Sequence, residues 1–90
     1  MAHTVTLNWD ASTDAVDGYN VYRGSVSGQE TTLLNTALVT STSFVDSNPV
    51  IGETFYIAKS VKGGIESIAS NEAKAVLLPA APTQLVATIN

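Results

Sequence analysis

The sequence has no cysteine, a single histidine and few charged residues, and each of these shortages excludes a class of chemistry. Without cysteine there are no disulfides, no thiol nucleophiles and no thiolate metal sites. Charged residues make up 13% of the chain, with 8 acidic against 4 basic, so the net charge is −4. This balance predicts no nucleic-acid partner, because phosphate recognition needs a basic surface. No run approaches the ~20 apolar residues of a membrane-spanning helix, so we also expect no membrane insertion.

The side chains that remain as candidates for catalysis or metal binding each have an ordinary explanation. His3 lies next to the terminus, where an ordered active site is hardest to build. The acidic candidates are Glu53, Glu66 and Glu72 in separate segments, and Asp10, Asp14 and Asp17 in one polar loop. Loop aspartates commonly bond to their own backbone, and this spacing fits no calcium-binding loop. We therefore expect no catalytic residue, no metal site and no cofactor.

What the sequence does have is 44% hydrophobic residues, arranged in short alternating stretches. Val5, Leu7 and Trp9 alternate with polar residues, and a second alternation begins with Tyr19 and Val21; this period is typical of strands with one buried face. Further strand-length stretches follow at residues 31–39, 43–45, 54–61 and 70–78, separated by turn formers such as Gly63-Gly64. Six or so short strands without a helical stripe predict one all-β domain, an antiparallel sandwich.

Short motifs along the chain carry further information on the fold. They are VTLNWDAS at residues 5–12, GYNVYRG at 18–24, TSFVD at 42–46, GETFY at 52–56, and ES and SNEA at 66–67 and 70–73. Together they resemble the second, third, fifth, sixth and last strands of fibronectin type III domains. The resemblance implies an immunoglobulin-like sandwich in which the tryptophan lies between the sheets. Together with the alternation, it predicts a core of Val5, Leu7, Trp9, Tyr19, Val21, Phe44 and Tyr56.

The corner before the sixth strand leaves a choice of register. The family usually has a tyrosine here whose hydroxyl holds the loop, and either Phe55 or Tyr56 could take that position. A shift of one residue turns every side chain of a strand to the other face. We favour Tyr56, with Ala58 and Ser60, as the inward set, because the other register would bury Lys59 without a partner.

The two ends of the chain depart from the family pattern. The resemblance begins at the second strand, so the first strand is missing on the N-terminal side. At the other end, residues 82–88 read PTQLVAT, which is similar to the first strand of a following domain. We therefore divide the chain into a sandwich at residues 1–78 and a linker with a donor-like strand at 79–90. The predicted donor residues are Leu85, Val86, Ala87 and Ile89.

The direction of this segment decides where it can bind. In the family, the first strand runs antiparallel to the second and enters from the end opposite to the exit of the last strand. A tail folding back on its own domain would run parallel to the second strand, whereas a tail from another copy would enter in the family's direction. Twelve residues reach about 40 Å when extended, which is long enough. We expect head-to-tail strand donation, with a flexible unused linker as the alternative.

These observations predict a non-catalytic structural or interaction module whose partners are proteins, either copies of itself or neighbouring domains. One setting is a self-assembling component of a cell surface, a filament or a virion surface. Another is a spacer within a secreted multidomain carbohydrate-active enzyme or adhesin, which is also extracellular. A third is weak carbohydrate binding, since Tyr22 and Phe55 could point outward on one sheet. Such aromatic side chains more often stabilise a sheet through cross-strand pairing.

Overall fold

The computed structural model describes residues 3–89 and contains seven β-strands and no helix in this range. The strands are β1 (Val5–Asn8), β2 (Gly18–Gly24), β3 (Thr32–Leu33), β4 (Ser43–Asp46), β5 (Gly52–Lys62), β6 (Ile65–Glu66) and β7 (Ala73–Leu77). Every strand pair is antiparallel, which confirms the predicted all-β antiparallel class. The predicted outer bounds at residues 1 and 90 lie outside the described residues.

The strands form two sheets of different size. β1 pairs with β4 in a two-stranded sheet, from Val5 opposite Asp46 to Asn8 opposite Ser43. The larger sheet has the order β3-β2-β5, and β6 and β7 pair in turn with the other edge of β5. The eleven residues of β5 therefore hold the larger sheet together, because β2, β6 and β7 all bond to this strand.

The predicted core residues fall into two groups. Tyr19, Val21 and Tyr56 of the larger sheet are buried, and Val21 and Tyr56 are only 0% and 2% exposed. The other four lie on or next to the small sheet and are half-buried: Val5, Leu7, Trp9 and Phe44. Val61 is also buried, although the alternation did not predict it. The core is therefore well covered by the larger sheet and only partly covered on the side of the small sheet.

Tyr56 takes the inward position at the corner between β4 and β5. Its hydroxyl donates a hydrogen bond of 2.8 Å to Oδ2 of Asp46, the last residue of β4. Lys59 points out of the sandwich, where its Nζ lies 5.3 Å from the ring centre of Tyr22 and 3.9 Å from Oε1 of Glu66. The register that buries Tyr56 thus gives Lys59 partners at the surface instead of an unpaired place in the core.

Asp46 is a buried carboxylate that joins the two sheets. Nη1 of Arg23 on β2 donates to its Oδ2 at 2.8 Å, and the N–H of Asn48 donates to its Oδ1 at 3.1 Å. Burial by itself raises the pKa of Asp46, but the hydrogen bonds from Tyr56 and Arg23 outweigh burial and hold this pKa below its ordinary value. Burial, together with the adjacent carboxylate, raises the pKa of Tyr56 to about 12. Asp46 is therefore ionised at neutral pH, and Tyr56 is its protonated donor.

A buried asparagine side chain replaces a missing backbone partner along the edge of β2. β3 is only two residues long, and the chain returns to β2 at Val39, which exchanges two backbone hydrogen bonds with Tyr19. Between these points, Oδ1 of Asn35 accepts the N–H of Val21 at 2.8 Å. The Asn35 side chain thus satisfies a strand-edge donor that the short β3 leaves without a partner.

The predicted last strand at residues 70–78 is wrong at both ends, because β7 begins at Ala73 and ends at Leu77. Residues 67–72 leave the ladder, since Ser67 and Ser70 bond to β5 partly through their side chains. The turn signal before this segment is confirmed. Gly63 and Gly64 have φ angles of 57° and 78°, as a type I′ hairpin turn between β5 and β6 requires.

Removing the Tyr56 hydroxyl should destabilise the fold more than the same change at the surface. In Tyr56→Phe the buried carboxylate of Asp46 loses a donor, so we expect the free energy of unfolding to fall by about 2 kcal/mol. Tyr22→Phe is the matched control, because that hydroxyl also donates to a carboxylate, Glu66, but in an exposed cluster. There we expect a loss of about 0.5 kcal/mol or less. Urea unfolding measures all three proteins, and equal losses would contradict the anchoring role of Asp46.

Asp46 should also make the fold sensitive to acid. Its pKa is lower in the folded state than in the unfolded state, where it is about 3.9, so the ionised form stabilises the fold above that value. This stabilisation is lost as the pH falls through the folded-state pKa. The stability difference between the wild type and Asp46→Asn should therefore be largest above about pH 5 and shrink as the pH falls below about 4. Urea unfolding across this pH range is the measurement, and a difference that does not vary with pH would contradict it.

Candidate functional site

The candidate site is the second edge of β1. Of residues 3–89, none pairs with this edge, and β4 is the partner on the other side. An unpaired strand edge exposes a row of N–H and C=O groups that can bind an added strand. This is the edge on which the fold that the sequence resembles carries its first strand.

A groove runs along this edge between the two sheets. One wall is β1 with the residues that follow it up to Thr13, and the other wall is the segment 67–73. Beside Leu7 the groove is a small apolar pocket of about 60 Å³, whose lining includes Val21 and Tyr56. Beyond Trp9 it widens to an open depression of about 630 Å³. The polar side chains that line this wide part are Asn8, Asp10, Ser12, Thr13, Ser60, Ser67, Ser70 and Asn71.

Two serines set the position of the second wall. The backbone N–H of Ser67 donates to the C=O of Ser60, and the Ser67 hydroxyl accepts the N–H of Ser60 at 2.9 Å. Ser70 repeats this arrangement with Ala58, again with a 2.9 Å bond to its hydroxyl. The two hydroxyls accept the N–H groups of Ala58 and Ser60 on β5 in place of a neighbouring strand. Residues 67–72 can therefore bulge without leaving these N–H groups unpaired. Sequence reasoning missed this role, although two serines three residues apart beside a strand were visible.

Trp9 marks the point where the groove changes from small and apolar to wide and polar. Its ring meets that of Tyr19 edge-on, with the centroids 5.4 Å apart and the planes at 65°. Its indole N–H is buried and has no hydrogen-bond partner among residues 3–89. A buried donor without an acceptor costs the fold about 1–3 kcal/mol.

The predicted donor residues do not line this groove on the same chain. Residues 78–89 form no strand, and Leu85 and Ile89 are 92% and 98% exposed. Val86 and Ala87 between them are exposed as well. The molecule measures 71 × 23 × 20 Å, and its radius of gyration is 17.5 Å, against about 12 Å for a compact chain of this length. The tail therefore extends away from the sandwich and leaves its own groove open.

The strand directions decide how the tail can reach a groove. Val5 pairs with Asp46, Asp46 bonds to Arg23, and Leu77 pairs with Gly52, so β1 begins and β7 ends at one end of the sandwich. We call this the exit end, and the opposite one the Trp9 end. A tail that turned back into its own groove would run parallel to β1. A tail that enters the next copy at its Trp9 end runs antiparallel to β1.

The other candidate residues do not come together. His3 is exposed, and the three glutamates bond to separate partners. Glu53 pairs with Lys74, Glu66 accepts from Asn20, and Glu72 accepts from Ser27. Within residues 3–89, no three His, Asp or Glu side chains are grouped so that they could hold a metal ion. The part of the chain described by the structure also has no helix long and apolar enough to cross a membrane.

Tyr22 and Phe55 do lie on the outer face of the larger sheet, but not as a pair. Tyr22 is opposite Ile57, and Phe55 is opposite Gly24. The Tyr22 hydroxyl donates to Glu66, which raises the pKa of Tyr22, and Lys59 lies over its ring. These contacts make Tyr22 part of a polar surface cluster and favour a structural role over sugar stacking.

Comparison with known proteins places this geometry in a family. The crystal structure of an Fn3-like protein from Clostridium thermocellum matches the chain with a TM-score of 0.72 and 31% sequence identity. The match covers 88% of this chain and 80% of that chain. Neither the scan of family models nor the search of curated proteins gives a match. Fn3-like domains are typically non-catalytic modules. Because the sequence similarity extends over most of both chains, this chain belongs to the fibronectin type III-like family of immunoglobulin-like β-sandwiches.

Proposed function

We propose that the chain is a non-catalytic structural subunit that assembles head to tail, each copy placing its C-terminal segment along β1 of the next. The observation that carries this proposal is the presence, on one chain, of an open groove beside β1 and an exposed alternating segment at residues 85–89. A strand added to a sheet edge gains main-chain hydrogen bonds, and side chains that enter pockets add specificity.

Apolar burial supplies the driving force for this contact. Leu85 and Ile89 are almost fully exposed on the free tail, and burying such a side chain stabilises a complex by about 1.5–3 kcal/mol. The groove contributes as well, because Leu7 and Trp9 are only half-buried in the isolated subunit. The same contact therefore removes apolar surface from water on both partners.

The contact joins two different surfaces and leaves one of each unused at the ends. A donor bound to one copy still presents its own groove, and an acceptor still presents its own tail. Such heterologous contacts repeat into an open filament unless the rotation between copies closes a ring. The partners of this subunit are thus further copies of the same chain.

We infer an extracellular setting for the assembly, on a cell surface or a virion surface. The same groove would serve in a tandem array, in which a strand from a neighbouring domain of one polypeptide enters it. The chain would then be a spacer within a larger protein. The two settings differ in one measurable respect, because assembly between separate chains depends on protein concentration.

Shortening the chain after Pro79 should abolish assembly. The shortened chain keeps all seven strands but has no donor segment, so we expect it to sediment as a monomer at every concentration. The full chain should gain mass as its concentration rises, and its thermal midpoint should rise with it by mass action. If both chains are monomers of equal thermal stability throughout, the tail is not a donor between separate chains.

The alternation of the tail predicts unequal effects of two neighbouring substitutions. In a bound strand Leu85 faces the groove and Val86 faces outward. Leu85→Asp would bury an unpaired carboxylate, and we expect it to weaken assembly by on the order of 100-fold. Val86→Asp introduces the same charge on the solvent side, where we expect less than about a fivefold change. Sedimentation across a concentration series measures both, and equal weakening would contradict insertion as a strand.

A further inference from the structure

We infer that the donor strand binds in one register, with Leu85 opposite Trp9, Ala87 opposite Leu7 and Ile89 opposite Val5. This inference rests on the proposed function and adds to it the residue-by-residue pairing of the tail with β1 of a second copy. The groove itself supplies three arguments for the register: the alternation of β1, the size of the apolar pocket and the polarity of the wide part.

The alternation limits the possible registers. Val5 and Leu7 are half-buried, whereas Thr6 and Asn8 are exposed, so β1 offers inward positions at every second residue. A donor can shift only in steps of two without turning its apolar face to water. A shift of two in one direction places Ile89 beside His3, which is exposed. The inferred register instead matches three apolar side chains with three inward positions.

The size of the groove distinguishes the inferred register from its slipped neighbour. The pocket beside Leu7 measures about 60 Å³, and its floor is formed by buried residues of the core. In the inferred register the single methyl group of Ala87 enters this space. In the register that places Ile89 beside His3, the larger side chain of Leu85 would enter it. Forcing extra methylene groups into a packed core typically costs about 1–3 kcal/mol. The wide part begins at Trp9 and continues along Asp10, Ser12 and Thr13, so Leu85 has room on that side.

The polarity of the wide part fits the residues that precede Leu85. In this register Thr83 and Gln84 lie beyond Trp9, where hydroxyl and amide side chains line the groove. A tail folded back from the exit end would place Ile89 in this polar part instead.

Engineered cysteine pairs test the register directly, because the sequence has no cysteine of its own. The inferred pairing puts the exposed Thr6 opposite Thr88, so Thr6→Cys with Thr88→Cys should form disulfides between chains under mild oxidation. Two slipped pairs are the controls: Thr6→Cys with Val86→Cys, and Asn8→Cys with Thr88→Cys. Diagonal neighbours are about 7–8 Å apart, so we expect about tenfold less cross-linking in the controls.

Denaturing gels without reductant separate the outcomes. The expected result is a ladder of linked multimers for the Thr6–Thr88 pair, with Thr88→Cys alone giving no species larger than a dimer. A stronger ladder from a slipped pair overturns the register and leaves head-to-tail donation intact. A disulfide within one chain overturns donation, because the tail then lies in its own groove. If the full chain assembles but no cysteine pair cross-links, the register is overturned. If the chain neither assembles nor cross-links, both the register and head-to-tail donation are overturned.

Discussion

The charge of Asp46 has to be compensated where it is buried, and much of the architecture follows from how this is done. Its carboxylate accepts hydrogen bonds from Arg23 on β2 and Tyr56 on β5, while Asp46 itself ends β4. One group therefore ties the small sheet to the larger one at the exit end. At the other end the sheets meet through the edge-on contact of Trp9 with Tyr19. Between these two anchors the small sheet spans the core as β1 and β4, and the position of β1 defines the groove.

A two-stranded sheet is a weak cover for a core, because isolated pairs of strands are marginally stable in water. Leu7 and Trp9 are accordingly only half-buried, because the small sheet does not fully cover them. A third strand on the free edge of β1 would complete the sheet and cover these side chains at the same time. Under the proposed assembly, the stability of a subunit and its incorporation into a filament are therefore coupled, since a ligand that binds only the folded state stabilises it.

The sequence predicts features that depend on local patterns and misses those that depend on a distant partner. The alternation of Val5, Leu7 and Trp9 with polar residues predicts a strand, and Gly63-Gly64 predicts a turn. The charge of Lys59 predicts which face of β5 is buried. The roles of Ser67 and Ser70 could not be read in this way, because their hydroxyls bond to a strand seven to twelve residues earlier. The same limit explains why the last strand is predicted to begin too early.

The two parts of the candidate site, the tail and the groove, differ in the same way. The proposed donor segment is predicted from the sequence, since alternation and family resemblance both point to residues 85–89. The acceptor groove is not, because its small and wide parts arise from residues of β1, β2, β5 and the segment 67–73 that meet only in the fold. The resemblance implied an empty strand position, but the size and polarity of that position needed the structure.

The prolines of the tail explain why this segment leaves the larger sheet. A proline has no N–H to donate to a ladder, so Pro79 and Pro82 cannot continue the pairing of β7 with β5. β5 also begins at Gly52, opposite Leu77, and offers no strand partner beyond that point. The chain therefore leaves the sheet at the exit end, carrying Leu85 and Ile89 into solvent. Within one copy the tail could lie along the free edge of β1 only parallel to it, because β1 begins and β7 ends at the same end of the sandwich. Under the proposed assembly the tail lies antiparallel to β1 of another copy, and each such contact leaves another groove and another tail to continue the series.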